Sequence, residues 1–260
     1  MDLGLENKIA LVSGATAGLG FAAAQALLAE GARVVICGRD DGRLQTAVKA
    51  LDSARVLGLR ADVTDSAEIV HLLDQAVAWQ GGLDILITNA GGPPAGSFET
   101  TDAAAWERGL RLTLLSAVEL IRAALPALRR SAAPAILTIT SISVRQPIDG
   151  LLLSNAIRPA VVGLTKSLAL ELGPAGIRVN SILPGWTRTE RVDYLLNQRA
   201  QANGTDYATE MQKITDATAL KRMAEPQEFG RIAAFLCSPA AGYITGTMLP
   251  VDGGYYRGLL

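Results

Sequence analysis

Short apolar runs recur along the chain, each followed by a turn and then a longer stretch with helical spacing. The first run, residues 9–12, ends in a glycine-rich loop. Residues 19–30 are rich in Ala and Leu and stop at Gly31, which predicts a helix closed by a glycine. Residues 33–37 form a β-branched run, so the chain opens as strand, glycine loop, helix, strand. The alternation continues with a helix near 43–51, a strand near 56–59, a helix near 66–79 and a strand at 85–88. A long helical region covers 103–130 and is expected to break near Pro126. A strand at 136–139, a helix near 157–172 and a strand at 179–183 follow. Residues 189–218 are mixed and polar, and predict a helical insertion or substrate lid. A helix near 227–236 and a strand near 248–251 end the pattern.

The strands are continuously apolar instead of alternating, which suits a parallel sheet covered on both faces. Right-handed crossovers then give an α/β doubly wound sheet whose ligands sit at the carboxyl ends of the strands. Gly14, Asp62, Asn89, Ser141 and Pro184 each follow a predicted strand, so they should line one crevice. No Pro/Ser-rich linker, repeat or charge block divides the 260 residues, so one domain over 1–260 is expected.

Composition narrows the function. A formal net charge of −1 gives no reason to expect a nucleic acid or an anionic membrane as partner. No apolar stretch suggests a membrane span, and the first residues lack the basic and apolar regions of a secretory leader, so a cytoplasmic protein is expected. Cys37 and Cys237 are isolated and read as buried packing residues. The only histidine, His71, falls on a predicted helix away from the crevice, and no metal-ligand set is found.

Gly14, Gly18 and Gly20 give a turn, a close backbone approach to a pyrophosphate and a helix packed tightly on a strand. Asp62-Val63, Asn89-Ala90-Gly91, Pro184-Gly185 with Thr189, Ile244-Thr245-Gly246 and Val251-Asp252-Gly253-Gly254 follow in order. Together these motifs resemble the short-chain dehydrogenase/reductase family over nearly the whole chain, its 3-oxoacyl-carrier-protein reductase-like branch most of all. The resemblance implies that Gly14, Gly18, Leu19 and Gly20 bind pyrophosphate, and that Asp62 and Val63 bind adenine. It implies Asn89, Ala90 and Gly91 on the ribose side, with Pro184, Gly185, Thr187 and Thr189 at the nicotinamide carboxamide. Where an NAD site carries a carboxylate after the second strand, this chain has Gly38-Arg39. A guanidinium suits a 2′-phosphate, so NADP(H) is favoured over NAD(H), while Asp40 and Asp41 read as caps of the next helix.

Similar proteins use Asn, Ser, Tyr and Lys for proton transfer. On the same register these positions are Thr113, Ser141, Ser154 and Arg158, so only the Ser is kept. A serine hydroxyl does not ionise in the useful range and a guanidinium stays protonated, so Arg158 is suited to the nicotinamide ribose or an oxyanion. Tyr194 and Asp149 are candidate substitute acids, with an exposed loop role as the plainer reading; Lys166 lies too far along its helix to replace the missing Lys. Two functions follow. One is an NADP(H)-dependent oxidoreductase for a small carbonyl or alcohol with a non-standard proton donor. The other is a non-catalytic NADP(H)-binding sensor or scaffold. The resemblance also implies a homotetramer, with a dimer as runner-up.

Overall fold

The structure, a computed structural model, describes residues 2–259. Seven parallel strands form one sheet in the order β3-β2-β1-β4-β5-β6-β7. They are β1 (Ile9–Val12), β2 (Arg33–Gly38), β3 (Val56–Arg60), β4 (Ile85–Thr88), β5 (Ala135–Ile139), β6 (Arg178–Pro184) and β7 (Met248–Val251). The chain runs outward from β1 to β3, then returns to β4 beside β1. This reversal makes a topological switch point, with β1 paired to β2 on one side and to β4 on the other.

Alternate strand residues feed two separate cores, which is why the runs are apolar throughout. Ala10, Val12, Val34, Ile36, Ile85 and Ile87 face α1 (Gly18–Ala29), α2 (Asp41–Leu51) and α9 (Pro226–Cys237). Leu11, Val35, Leu86, Ile136 and Val179 face α3 (Ser66–Gln80), α5 (Ser116–Leu128) and α6 (Leu152–Leu172). Side-chain carboxylates start the helices where the sequence places them. Asp40 accepts from the Arg43 amide at 2.8 Å, and Asp65 accepts from Ala67 and Glu68.

Three departures from the sequence pattern bear on the site. The predicted break at Pro126 does not occur: Pro126 lies in the last turn of α5, and Arg129 N–H still reaches the Leu125 carbonyl at 3.0 Å. The irregularity lies earlier, in a π-helical turn at Arg111–Leu115 that joins α4 (Ala103–Leu110) to α5. Arg111 braces that turn with hydrogen bonds to Glu119, Ser66 and the Thr64 carbonyl.

Helix α6 starts at Leu152, ahead of its apolar period, because Asn155 closes a pair of hydrogen bonds with the Ile148 backbone and orders the entry. Ser154 and Arg158 therefore share one helical face, a turn apart. Residues 189–218 form two defined helices, α7 (Glu190–Asn203) and α8 (Tyr207–Ala217). They close a third apolar cluster of Ile142, Ile148, Trp186, Leu196, Ile214 and Met223. Among the described residues no helix is long and apolar enough to cross a membrane.

Helix α9 crosses α1 so closely that a Cβ on Gly230 would sit 2.3 Å from the Ala22 carbonyl oxygen. Gly230→Ala is expected to push the two helices apart and to lower the unfolding free energy by about 1–3 kcal/mol, as overpacking does. A urea midpoint equal to that of the parent would contradict this packing.

Candidate functional site

A cavity of about 580 Å³ opens at the carboxyl ends of the strands, across the switch point between β1 and β4. Its floor is the loop after β1. Gly14 and Gly18 have φ of +55° and +60°, a region that disfavours side chains. The loop leads into α1, whose N-cap, Ala17, provides no side-chain cap and whose first turn holds no acidic residue. The free amides and the helix dipole therefore face the cavity unopposed.

The residues assigned by sequence mostly come together here. Gly14, Gly18, Leu19, Arg39, Asp62 and Val63 line one half. Asn89, Ala90, Gly91, Ser141, Ser154 and Arg158 line the middle, and Pro184, Gly185, Thr187 and Thr189 line the far wall. Gly20 is an exception. It does not line the cavity, and a Cβ there would lie 2.6 Å from the Gly14 carbonyl oxygen, so its role is to seat α1 on the loop.

Asn89, which lines the cavity, also braces the glycine loop. Its side-chain amide donates to the Gly14 carbonyl at 2.8 Å, so it shapes the loop. Asp62 accepts from both the amide and hydroxyl of Thr64. Burial pushes its pKa up, but the Thr64 bonds and the charges of Arg39 and Arg60 outweigh this and hold it below the ordinary value.

At the end of β5, Ser141 caps a short 3₁₀ turn and its Oγ accepts from the Ser143 amide at 3.0 Å. Ser154 Oγ accepts from Arg158 Nε at 3.1 Å and lies 3.2 Å from Ser143 Oγ. Arg158 also donates Nη1 to the carbonyls of Thr140 at 2.9 Å and Ile139 at 3.3 Å. Burial, and then the charge of Arg191, pull the Arg158 pKa down to about 10. Arg158 is still a cation at neutral pH, and it is anchored between β5 and the Ser154 hydroxyl.

Thr113 does not join this group in the main cavity. The π turn places it beside a separate void of about 20 Å³, which it shares with Asn89, Gly91 and Arg158. Its Oγ1 is buried with no hydrogen-bond partner among the described residues.

The substitute acids stay outside. Tyr194 is exposed, its hydroxyl accepts from Gln198, and its ring lies beside Arg191. Asp149 offers its backbone carbonyl to Arg199. Neither lines the cavity. His71 is exposed on α3, and Lys166 donates to the Gly246 carbonyl.

Sequence reasoning missed Arg43, Trp186 and Arg191, which all line the cavity. Arg43 reaches across it from α2 to Glu190 on α7 at 2.7 Å. A basic residue in the first turn of the helix after Arg39 was the available signal for Arg43. No sequence pattern marks Arg191.

The sequence profile of a family described as enoyl-(acyl carrier protein) reductase matches residues 14–256. The 3-alpha-(or 20-beta)-hydroxysteroid dehydrogenase of Mycobacterium tuberculosis is 37% identical over 98% of this chain and 92% of its own. Among solved structures, L-sorbose reductase from Gluconobacter frateurii, complexed with NADPH and L-sorbose, matches with a TM-score of 0.94 at 31% identity over 100% of both chains. A short-chain oxidoreductase from Pseudomonas aeruginosa PAO1, described as containing an atypical catalytic center, matches at 0.88 and 32% identity over 98% of this chain and 99% of that one.

Both cysteines are fully buried, and burial drives each thiol pKa up to about 12. Neither is then a nucleophile at working pH. Native protein treated with iodoacetamide near neutral pH should stay unmodified at Cys37 and Cys237 by mass spectrometry, with labelling only after denaturation. Rapid native labelling would place a reactive thiol beside the Gly14 loop.

Proposed function

Because the chain belongs to the short-chain dehydrogenase/reductase family, we propose that it is an NADP(H)-dependent oxidoreductase acting on a small carbonyl or alcohol, with Ser154 as proton donor. The observation that carries this reading is the Arg158–Ser154 hydrogen bond at the cavity wall, beside Ser141.

The residues present fit a dinucleotide. The amides at the α1 N-terminus have no internal anion, and the glycine loop leaves room for a phosphate group. Thr187 Oγ1 is buried without a partner among the described residues, on the wall assigned to the carboxamide. Arg39 and Arg43 favour a 2′-phosphate over a free hydroxyl. Structural relatives complexed with NADPH support the same choice.

When bound, the cofactor supplies the hydride that becomes the new C–H bond of the alcohol. The chain's own residues handle the oxygen. Ser154 Oγ accepts from Arg158 and lies 3.2 Å from Ser143 Oγ, a contact in which either hydroxyl can donate, so the Ser154 hydrogen can turn to the substrate oxygen when Ser143 takes the donor role. Ser141 offers a second hydroxyl at the same wall. As the carbonyl π pair moves onto oxygen, the Arg158 charge stabilises the developing alkoxide. The alkoxide takes the Ser154 proton as a proton from solvent replaces it in the same step, so the serine itself never ionises; alcohol oxidation runs the same exchange backwards. The relative described as having an atypical catalytic center supports a family member working without the usual set. On this reading the whole chain is one domain, α7 and α8 form the substrate lid, and the working assembly is a homotetramer.

Loss of Arg39 should weaken NADPH binding by about 1.5–3 kcal/mol while leaving NADH nearly unchanged, because only the former gains a charge-assisted contact. Fluorescence titration of Arg39→Ala with both cofactors reads this directly, and an equal loss for both would refute the assignment. Carbonyl reduction should fall about 10²-fold or more in Ser154→Ala, the scale of general acid catalysis, with NADPH affinity preserved. Ser154→Tyr combined with Arg158→Lys should recover or exceed parent activity, and Ser154→Tyr alone should gain less because the guanidinium occupies the ring's space. Parent-level activity in Ser154→Ala would move proton donation to another group. Tight NADPH binding without turnover in any variant would favour the sensor or scaffold role.

A further inference from the structure

Outside the cofactor half, the cavity has apolar walls and an unbalanced charge. Ile142, Ile148, Leu151, Trp186, Val192 and Leu195 provide the walls. The charged side chains lining that half are Arg158 and Arg191. Three nearby carboxylates are committed elsewhere. Glu190 pairs with Arg43, Asp193 accepts from the Tyr207 hydroxyl at 2.7 Å, and Asp62 accepts from Thr64 on the adenine side. Among the described residues neither Arg158 nor Arg191 forms an ion pair.

Arg191 is partly buried at the start of α7 and spends one donor on the Pro93 carbonyl at 2.6 Å. Its guanidinium packs close to Gly92, where a Cβ would approach within 3.2 Å of Nη2, and lies over the Tyr194 ring at 5.6 Å, so the head is held in place while its edge stays open to the cavity. Its remaining donors have no hydrogen-bond acceptor among the described residues. Burial depresses its pKa, and its charge lowers that of Arg158 in turn. Two partly desolvated cations facing one apolar cavity without a counterion is an unfavourable arrangement unless a ligand anion completes it. A planar guanidinium with free donors matches a carboxylate in charge and shape.

We propose that the substrate is an oxo acid or hydroxy acid whose carboxylate is held by Arg191, while its carbonyl or hydroxyl oxygen meets Ser141, Ser154 and Arg158. The apolar walls enclose the carbon chain between the two ends. This assignment rests on the oxidoreductase reading and narrows it to an anionic substrate. It also separates Arg191 from the cofactor phosphates, whose expected ligands lie at the α1 end of the cavity.

The test pairs each acid with its neutral methyl ester. Pyruvate, acetoacetate and levulinate vary the distance between carbonyl and carboxylate; each acid and ester is titrated calorimetrically onto the protein with NADP⁺ and without it, and assayed with NADPH. At least one acid should bind about tenfold or more tightly than its ester, the penalty for leaving a built polar site unpaired. Arg191→Leu should abolish that difference by weakening the acid alone, Arg191→Lys should restore part of it, and neither should change NADPH affinity. Equal binding of every acid and ester to the parent, L-sorbose binding better than any acid, or loss of NADPH affinity in Arg191→Leu would each overturn the proposal. Selective acid binding without turnover would sustain the anion site while removing the reductase reading. Ester reduction at full rate with no preference for acids would do the reverse.

Discussion

Where β1 and β4 end side by side, Ser13 and Asn89 are tied to one another. Ser13 Oγ donates to the Asn89 carbonyl at 2.7 Å and accepts from the Asn89 amide at 2.9 Å, while the Asn89 side chain holds the Gly14 carbonyl. Gly14 has no room for a side chain here, since a Cβ would stand 2.8 Å from the Asn89 carbonyl oxygen. This clamp fixes the turn out of β1, and the turn fixes how α1 leaves the sheet. The helix can then come close only because Gly20 is also bare, and α9 can cover it only because Gly230 is. One backbone junction thus sets the phosphate-binding end of the cavity and the packing of the layer behind it. Because the polar groups of the junction satisfy one another, it is stable before any ligand arrives.

Legibility in the sequence follows from the same geometry. In a parallel sheet every strand ends on the same side, so the residues after each apolar run must meet, whatever the helices do. Gly14, Asp62, Asn89, Ser141 and Pro184 were recoverable from the pattern alone for this reason. Side chains carried by helices were harder. Arg43 and Arg191 reach the cavity through the rotation and docking of α2 and α7, and that information resides in tertiary packing. Thr113 is a different case. Its register was readable, but a π turn inserts an extra residue into the helical path and turns its hydroxyl into a separate small void. Proline signalled a break in α5 that packing and one surviving hydrogen bond override.

The cavity divides by charge. On one side the α1 amides, Arg39 and Arg43 set up a positive field around Asp62, whose own contacts keep it ionised. On the other, Arg158 and Arg191 face apolar walls. Glu190, in the first turn of α7, lines the cavity opposite α2, and its ion pair with Arg43 is exposed at both ends. An exposed pair of this type contributes little to stability and exchanges readily with another anion. On the proposed reading, this links the first turn of α7 to the region where a 2′-phosphate would compete for the same guanidinium.

The pairing of Ser154 with Arg158 makes physical sense as a unit. A tyrosine hydroxyl reaches a substrate at the end of a ring and needs a nearby cation to lower its pKa. Serine is short and its hydroxyl cannot be tuned into that range, so its usefulness depends on an external charge at the oxygen. Lysine would supply that charge as a mobile point. Arginine supplies it on a planar head that donates at once to the carbonyls of Thr140 and Ile139 and to Ser154 Oγ. The strand end thereby fixes the guanidinium, and the guanidinium fixes the hydroxyl. Exchange of Arg158 alone breaks this chain of contacts, because a lysine cannot span all three acceptors in one plane. On the proposed reading, Ser154 and Arg158 are therefore compensating parts of one arrangement, in which charge stabilisation takes the place of a tunable acid.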